Sequence, residues 1–295
     1  MRILLRTIEV IIVLFIAAIF VLFVVGLIMT RPDKLKPLIA KQVYNATGRQ
    51  ITFGGNLHWS FSPLGIEASN VKLSNPKGFS QPTMISVKQF NFHVEFWPLL
   101  KGKVHTTAIV VNGLTLNLIQ TKRGKNNWEM APLHAQHQAS SPRKQKTTSK
   151  PRPPTHHESG EHESADFSIP SFKLKNATIT WQDQKTGQRI AINQLNLNAK
   201  NIRANKDYHN LNDALRHITA NATVIVKNLT AFKANIENLA ATVSAKNGII
   251  DAAPITAKLY QGKLQGQAQL NVTGNTPKIT AKTDITNLQL KLLLN

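Results

Sequence analysis

Ten histidines and fifteen acidic residues are the side chains of this 295-residue chain that could do acid–base or metal chemistry. Their placement argues against both. Five of the histidines, His134, His137, His156, His157 and His162, fall in a Pro/Ser-rich stretch. The run His157-Glu158-Ser159-Gly160-Glu161-His162 superficially resembles the zinc-hydrolase pattern H-E-x-x-H. Its second histidine comes five residues after the first instead of four, so the two would not share a helix face. Adventitious metal binding is the most this segment offers. Cysteine is absent, which removes thiolate nucleophiles, thiolate zinc ligands and disulfides. No G-x-S-x-G, Walker A or G-x-G-x-x-G motif occurs. No two acids stand at a spacing that suggests an acid–base pair. The expectation is a non-enzyme with no catalytic, cofactor-binding or metal-binding residue.

Charge is the next constraint. The formal net charge is +21, yet residues 131–166 carry five Lys/Arg against four Asp/Glu and so contribute only +1. The basic excess lies elsewhere, and it suits an anionic membrane surface. A nucleic-acid partner is not expected: the lysines are spread along polar strand faces, and no aromatic RNA-binding motif interrupts them. Asn-x-Thr sequons at Asn45, Asn176, Asn221, Asn228 and Asn271 arise easily in an Asn- and Thr-rich chain, and no function is attached to them.

The elements that would position any site begin with an anchor. Val10–Met29 (VIIVLFIAAIFVLFVVGLIM) holds no charge and no proline. At ~1.5 Å per residue such a helix spans ~30 Å, the hydrocarbon thickness of a bilayer. It is longer than a signal-peptide core and has no small-x-small cleavage site after it, so a retained anchor is expected. Arg2 and Arg6 precede it while Arg31, Lys34 and Lys36 follow, so charge alone leaves the orientation open. A long C-terminal part translocates largely regardless of charge, which favours a cytoplasmic N-terminus at 1–9 and an exported remainder.

Asp33 is expected to cap a short helix over Lys34–Ala46, stopped by Gly48. Pro37 falls in its first turn, and Leu35, Leu38, Ile39 and Val43 share one face. From Gln50 the period changes to two. Phe90, Phe92, Val94 and Phe96 alternate with polar residues, as do Leu114, Leu116 and Leu118. Leu264, Gly266, Ala268, Leu270 and Val272 repeat the pattern, followed by Ile279, Ala281, Thr283 and Ile285. These read as antiparallel strands with one apolar face, separated by turns such as Lys185-Thr186-Gly187. The phase change from Ile190 and Ile192 to Leu195 and Leu197 calls for a bulge, which also curves a sheet. About eleven strands are expected, with little helix beyond residue 50.

Residues 131–166 lack large apolar side chains apart from Leu133 and read as a disordered linker. They divide a first unit at 30–130 from a second strand group at 167–295. The chain stops at LKLLLN, which reads as a strand cut short.

Several segments carry a family resemblance. They are TGRQITFGGNLHWSFSPLGIEASNVKLSNPKGF from Thr47, FWPLLKGKV at 96–104, RGKNNW at 123–128, and KLYQGKLQGQAQLNVTGNTPKITAKTDITNLQLKLLL at 258–294. In content and order they resemble the N-terminal region and part of the C-terminal region of AsmA-family proteins of Gram-negative envelopes. The motif residues Gly48, Trp59, Phe61, Pro63, Gly65, Pro76, Gly78, Phe79 and Trp128 read as structural, with Gly48, Gly65, Gly78 and Gly102 at reversals. Trp59, Phe61, Phe79, Trp97 and Trp128 read as core.

The resemblance implies an inner-membrane-anchored periplasmic protein that contributes to outer-membrane assembly. It implies a curved sheet whose apolar face (Phe90, Phe92, Val94, Phe96, Leu264, Ala268, Leu270 and Val272 among others) binds or passes phospholipid. Eleven strands at ~4.8 Å spacing make a groove of only about 50 Å, too short for one chain to bridge an envelope. The alternative is an anchored scaffold acting on envelope assembly proteins by contact, since a closed sandwich would show the same alternation.

Overall fold

The computed structural model describes residues 32–101, 103–129, 167–204, 215–232, 234–274 and 276–289. The expected anchor at Val10–Met29 and the linker at 131–166 lie outside the described residues. Among the described residues no helix is long and apolar enough to cross a membrane.

A 3-10 turn at Pro32–Lys34 leads into helix α1, Leu35–Thr47. Gly48 ends α1 in the left-handed region, φ 68°, and its N–H donates to the Tyr44 carbonyl, as expected of a glycine stop. Asp33 does not cap this helix. Lys34 occupies the N-cap position and no side chain caps it. The Asp33 carboxylate instead accepts the Leu57 N–H at 2.9 Å and pairs with Lys36 at 2.6 Å. The helix start is thus tied to the sheet.

The rest is an open, curved, mostly antiparallel sheet of twelve strands. They are β1 Ile51–Phe53, β2 His58–Phe61, β3 Leu64–Ser74, β4 Thr83–Val94, β5 Thr106–Gln120 and β6 Phe167–Asp183, then β7 Arg189–Ala204, β8 Thr219–Ala231, β9 Ala234–Lys246, β10 Ile249–Leu259, β11 Gly262–Asn271 and β12 Lys278–Thr286. The order follows the chain from β3 to β12, and β1 and β2 both pair with β3 along its outer side. Both strand groups therefore join one sheet. The junction is parallel: β5 pairs with β6 from Ala108↔Ser171 to Gln120↔Asp183. A parallel pair needs a long crossover, and residues 121–166 supply it.

The apolar positions do not keep strict alternation. Each of β3 to β9 takes a three-residue step: Ala68 to Val71, Val87 to Phe90, Val111 to Leu114, Leu174 to Ala177, Ile192 to Leu195, Val226 to Leu229, Ile236 to Leu239. The steps of β3 to β6 sit side by side, and those of β7 to β9 continue the line one residue pair further along. Within them Asn70, Gly113, Asn176, Gln194 and Asn238 have φ between 50° and 64°. Asn and Gly reach this region at least cost. The extra residue turns the backbone so that both halves of each strand present apolar side chains to the same side. Val111, Leu174 and Ala177 pack there with Phe90, Leu114, Leu195 and Leu197. The expected bulge between Ile192 and Leu195 is thus one point on a seam.

Candidate functional site

Cross-strand register puts one apolar face across the whole sheet. Phe92, Ile109 and Phe172 stand in one row with Ala199, Ala222 and Val243. Beyond Val243 the row continues through Ala252, Ala268 and Ala281. A second row runs Leu116, Ile179, Ile192, Leu229, Ile236, Leu259. Among the described residues no second sheet stacks on this face. Most of its side chains, Ile192, Leu195, Leu229, Ile236 and Leu264 among them, are consequently only half-buried.

The face is covered at one end. Helix α1 lies over β1, β3 and β4, leaving a cavity of about 300 Å³ lined by Ile39, Ile51, Phe53, Leu57, Ile66, Ala68, Val71, Val87, Phe90 and Phe92. Every lining residue is apolar. The cavity therefore offers no polar group to hold an ordered water.

The C-terminal end of α1 is locked to the sheet through buried polar groups. Arg49, 3% exposed, donates to the carbonyls of Asn127 at 2.5 Å and Glu129 at 3.1 Å. The guanidinium also donates to the Met84 sulfur. Burial pushes the guanidinium pKa below its ordinary value. Asn127, fully buried, accepts the Ile119 N–H through Oδ1 at 2.8 Å. Its Nδ2 donates to Asn75 Oδ1 at 2.8 Å and to the Asn117 carbonyl at 2.7 Å. Three sequence motifs, T-G-R, the S-N-P loop and N-N-W, thus meet at one point. Sequence periodicity is blind to this lock, because Arg49, Asn75 and Asn127 lie outside the alternating runs.

The motifs W-S-F-x-P-x-G-I and P-L-L-x-G-x-V meet at the opposite end of the strands. Gly65, inside β3 and not at a reversal, faces His93, and a Cβ there would overlap the Phe92 carbonyl oxygen. The close approach holds the Phe61–Leu64 turn beside the β4–β5 connection.

The remaining expected positions divide. Phe90 and Phe92 line the cavity, and Val94 ends β4 opposite Thr106. Phe96 does not continue the strand: it opens helix α2, Phe96–Leu100, with its ring edge-on to Trp97 at 5.5 Å. Leu264, Ala268 and Leu270 lie on the face, opposite Ala257, Ala252 and Ile250. Val272 falls just beyond β11 and is 1% exposed, its N–H on the Gly248 carbonyl and its own carbonyl held by Arg216. It belongs to a packed corner and not to the open face.

Trp59 pairs with Ile66 on the apolar side. Pro76 and Gly78 shape the loop that Asn75 closes on Gln81 and Pro82. The Phe79 ring lies 5.9 Å beneath the Lys125 ammonium. Trp128 is 37% exposed. The core reading fails outright for Phe61 and Trp97, which are 56% and 74% exposed. Gly102 lies outside the described residues.

The outer face of the sheet is polar. Across β5 to β8 it carries Lys173, Lys175, Arg189, Lys200, Arg203 and Lys227, and the one acid on those strands, Asp183, sits at the end of β6. Thr186 and the Lys185 N–H hold the Asp183 carboxyl below its ordinary value, closing the β6–β7 turn. No group of three metal-ligating side chains occurs among the described residues.

The AsmA family model matches residues 2–224 and 203–295. No curated protein matches the chain.

Proposed function

The chain belongs to the AsmA family, and on that premise we propose that it binds phospholipid acyl chains along the apolar face of its sheet. In this reading it contributes to outer-membrane assembly, the role family membership suggests, as a non-catalytic protein. Residues 10–29 anchor it in the inner membrane, and the sheet stands in the periplasm. The observation that carries the reading is the continuous apolar face with no second layer on it among the described residues. A closed sandwich would have supplied that layer. Each methylene moved from water onto such a face gains about 0.8 kcal/mol. Phosphate headgroups can remain at the rim, within reach of lysines that form no ion pair among the described residues. Eleven neighbouring strands make a path of about 48 Å, enough for lipid to lie across several strands.

The test is native mass spectrometry of the full chain after gentle detergent extraction. Co-purifying phospholipid is expected, and a clean apo mass under conditions that keep the fold intact overturns the reading. A second reading, contact with other envelope proteins, is favoured by β12. It forms the free edge of the sheet among the described residues, with Ile279 78% exposed. Such an edge pairs readily with another strand.

A further inference from the structure

We propose that the end of the sheet formed by the Phe61–Leu64 turn and the Phe96–His105 connection dips into the surface of the membrane that holds residues 10–29. This second attachment rests on the anchored reading of the chain. It is carried by surface chemistry and chain geometry, independently of whether the groove holds lipid.

The surface chemistry is that of a membrane interface. Trp97, Val104 and Phe61 are 74%, 62% and 56% exposed, and all three belong to this one end. Lys101 and Lys103 stand exposed between Trp97 and Val104. The acid there, Glu95, faces His105 Nδ1 at 3.5 Å. Exposed aromatic residues interleaved with lysines match the headgroup region, where rings sit at the acyl boundary and ammonium groups meet phosphate. Scattered apolar residues on a surface need no explanation, but a cluster of large ones at one end does.

The chain geometry brings that end to the bilayer. Asp33 is fixed to the Leu57 N–H, which sets the start of α1 beside β2. From there α1 runs toward Gly48 and the Arg49–Asn127 lock at the far end of the strands. Strand β2 runs the other way, from His58 to Phe61. The turn therefore projects past the start of α1 by four residues, about 13 Å at strand rise. Between Met29 and Pro32 only Thr30 and Arg31 intervene, a reach of at most about 11 Å. The two lengths are comparable, so the turn arrives at the depth where the anchor leaves the hydrocarbon. The mouth of the apolar face is then held at the bilayer surface.

The four tryptophans separate this proposal from the groove reading. Trp97 reports the tip, Trp181 the apolar face and Trp128 the far end. Full-length chain would be reconstituted into phosphatidylethanolamine–phosphatidylglycerol vesicles carrying brominated acyl chains. One protein keeps only Trp97 (Trp59→Phe, Trp128→Phe, Trp181→Phe); two others keep only Trp181 or only Trp128. A blue-shifted Trp97 emission quenched by bromine is expected, with Trp128 unquenched. Quenching of Trp181 reports lipid in the groove whatever the tip does.

Should the triple substitutions unfold the chain, its lack of cysteine permits a second readout. A solvatochromic label at Val104→Cys should brighten on reconstitution, while one at Phe232→Cys, exposed at the opposite end, should not. The proposal is overturned if Trp97 emission stays red and unquenched, if the label at position 104 stays aqueous, or if position 232 brightens equally.

Discussion

Replacing Leu229 and Ile236 together by threonine separates an open lipid-binding face from a closed core. The two residues are cross-strand partners on β8 and β9, both partly buried, on the row that continues to Leu259. Threonine keeps the branched shape that strands favour, so the backbone is not the variable. Full burial of a Leu or Ile side chain is worth about 1.5–3 kcal/mol, of which roughly two thirds or more, about 1.5 kcal/mol each, is already realised at these positions. The double variant should therefore lose about 3 kcal/mol of stability, a fall in Tm of roughly 6–12 °C for a domain of this size. The unrealised remainder is what an acyl chain would gain by covering the pair. Losing it costs about 1 kcal/mol of affinity, roughly 5-fold in Kd. Titration of a phospholipid with a fluorescent acyl chain, beside a thermal melt of the same sample, reads both quantities. If the pair were fully buried in a closed core, the variant would lose about 4–8 kcal/mol and much of its fold. Unchanged lipid affinity, or a collapse of stability on that larger scale, refutes the open-face argument.

Two further outcomes follow from the polar contacts. Asn127→Ala leaves the buried Ile119 N–H, the Asn117 carbonyl and the Asn75 amide oxygen without their partner; at about 1–3 kcal/mol for each orphaned buried group, a loss of several kcal/mol is expected in denaturant unfolding. Loosening of α1 should accompany it, visible as faster amide exchange over Leu35–Thr47. The Asp33 carboxyl is held below its ordinary value by Lys36 and then by the Leu57 N–H. Its contribution is therefore present at neutral pH and lost as pH falls through the lowered folded-state value. The Tm gap between the wild type and Asp33→Asn should be widest near pH 7 and close below about pH 4; a gap constant with pH contradicts this assignment.

How much of this was legible in the sequence depends on which interaction writes the signal. Apolar alternation fixed strand existence and face because burial acts residue by residue: Leu264, Ala268 and Leu270 lie where alternation puts them. The same alternation carried Phe96 one step too far. Pro98 was the contrary signal, since a proline cannot donate to a ladder inside a sheet, and the chain turns into α2 there. The Asp33 cap failed for a related reason: its carboxylate had a competing donor in Leu57, distant in sequence and so invisible to a local rule. Arg49 and Asn127 were quoted within motifs, but nothing local says that an arginine will be buried against carbonyls. The parallel β5–β6 junction was hidden because its determinant is the length of the crossover, and the crossover's own residues do not encode where its ends meet.

The seam explains why the sheet stays a single open layer. A two-layer sandwich needs two apolar faces to meet, and the three-residue steps gather most of the apolar residues of β3 to β9 onto one side, leaving a few, such as Val110 and Ile225, on the other. The outer side is closed to stacking by charge. Among the described residues Lys173, Lys175, Lys200 and Lys227 stand on it without acidic partners, and the ion pairs found there, Lys36–Asp33 and His105–Glu95, lie elsewhere. Two such outer faces would repel each other, and burying their lysines without partners would cost more than the stacking returns. What remains for association is the inner face, half-exposed, apolar and bent along the seam. Among the described residues no second sheet covers it, and an exposed apolar patch of that extent marks an interaction surface. In the proposed reading an acyl chain covers this face, with no polar group to leave unpaired.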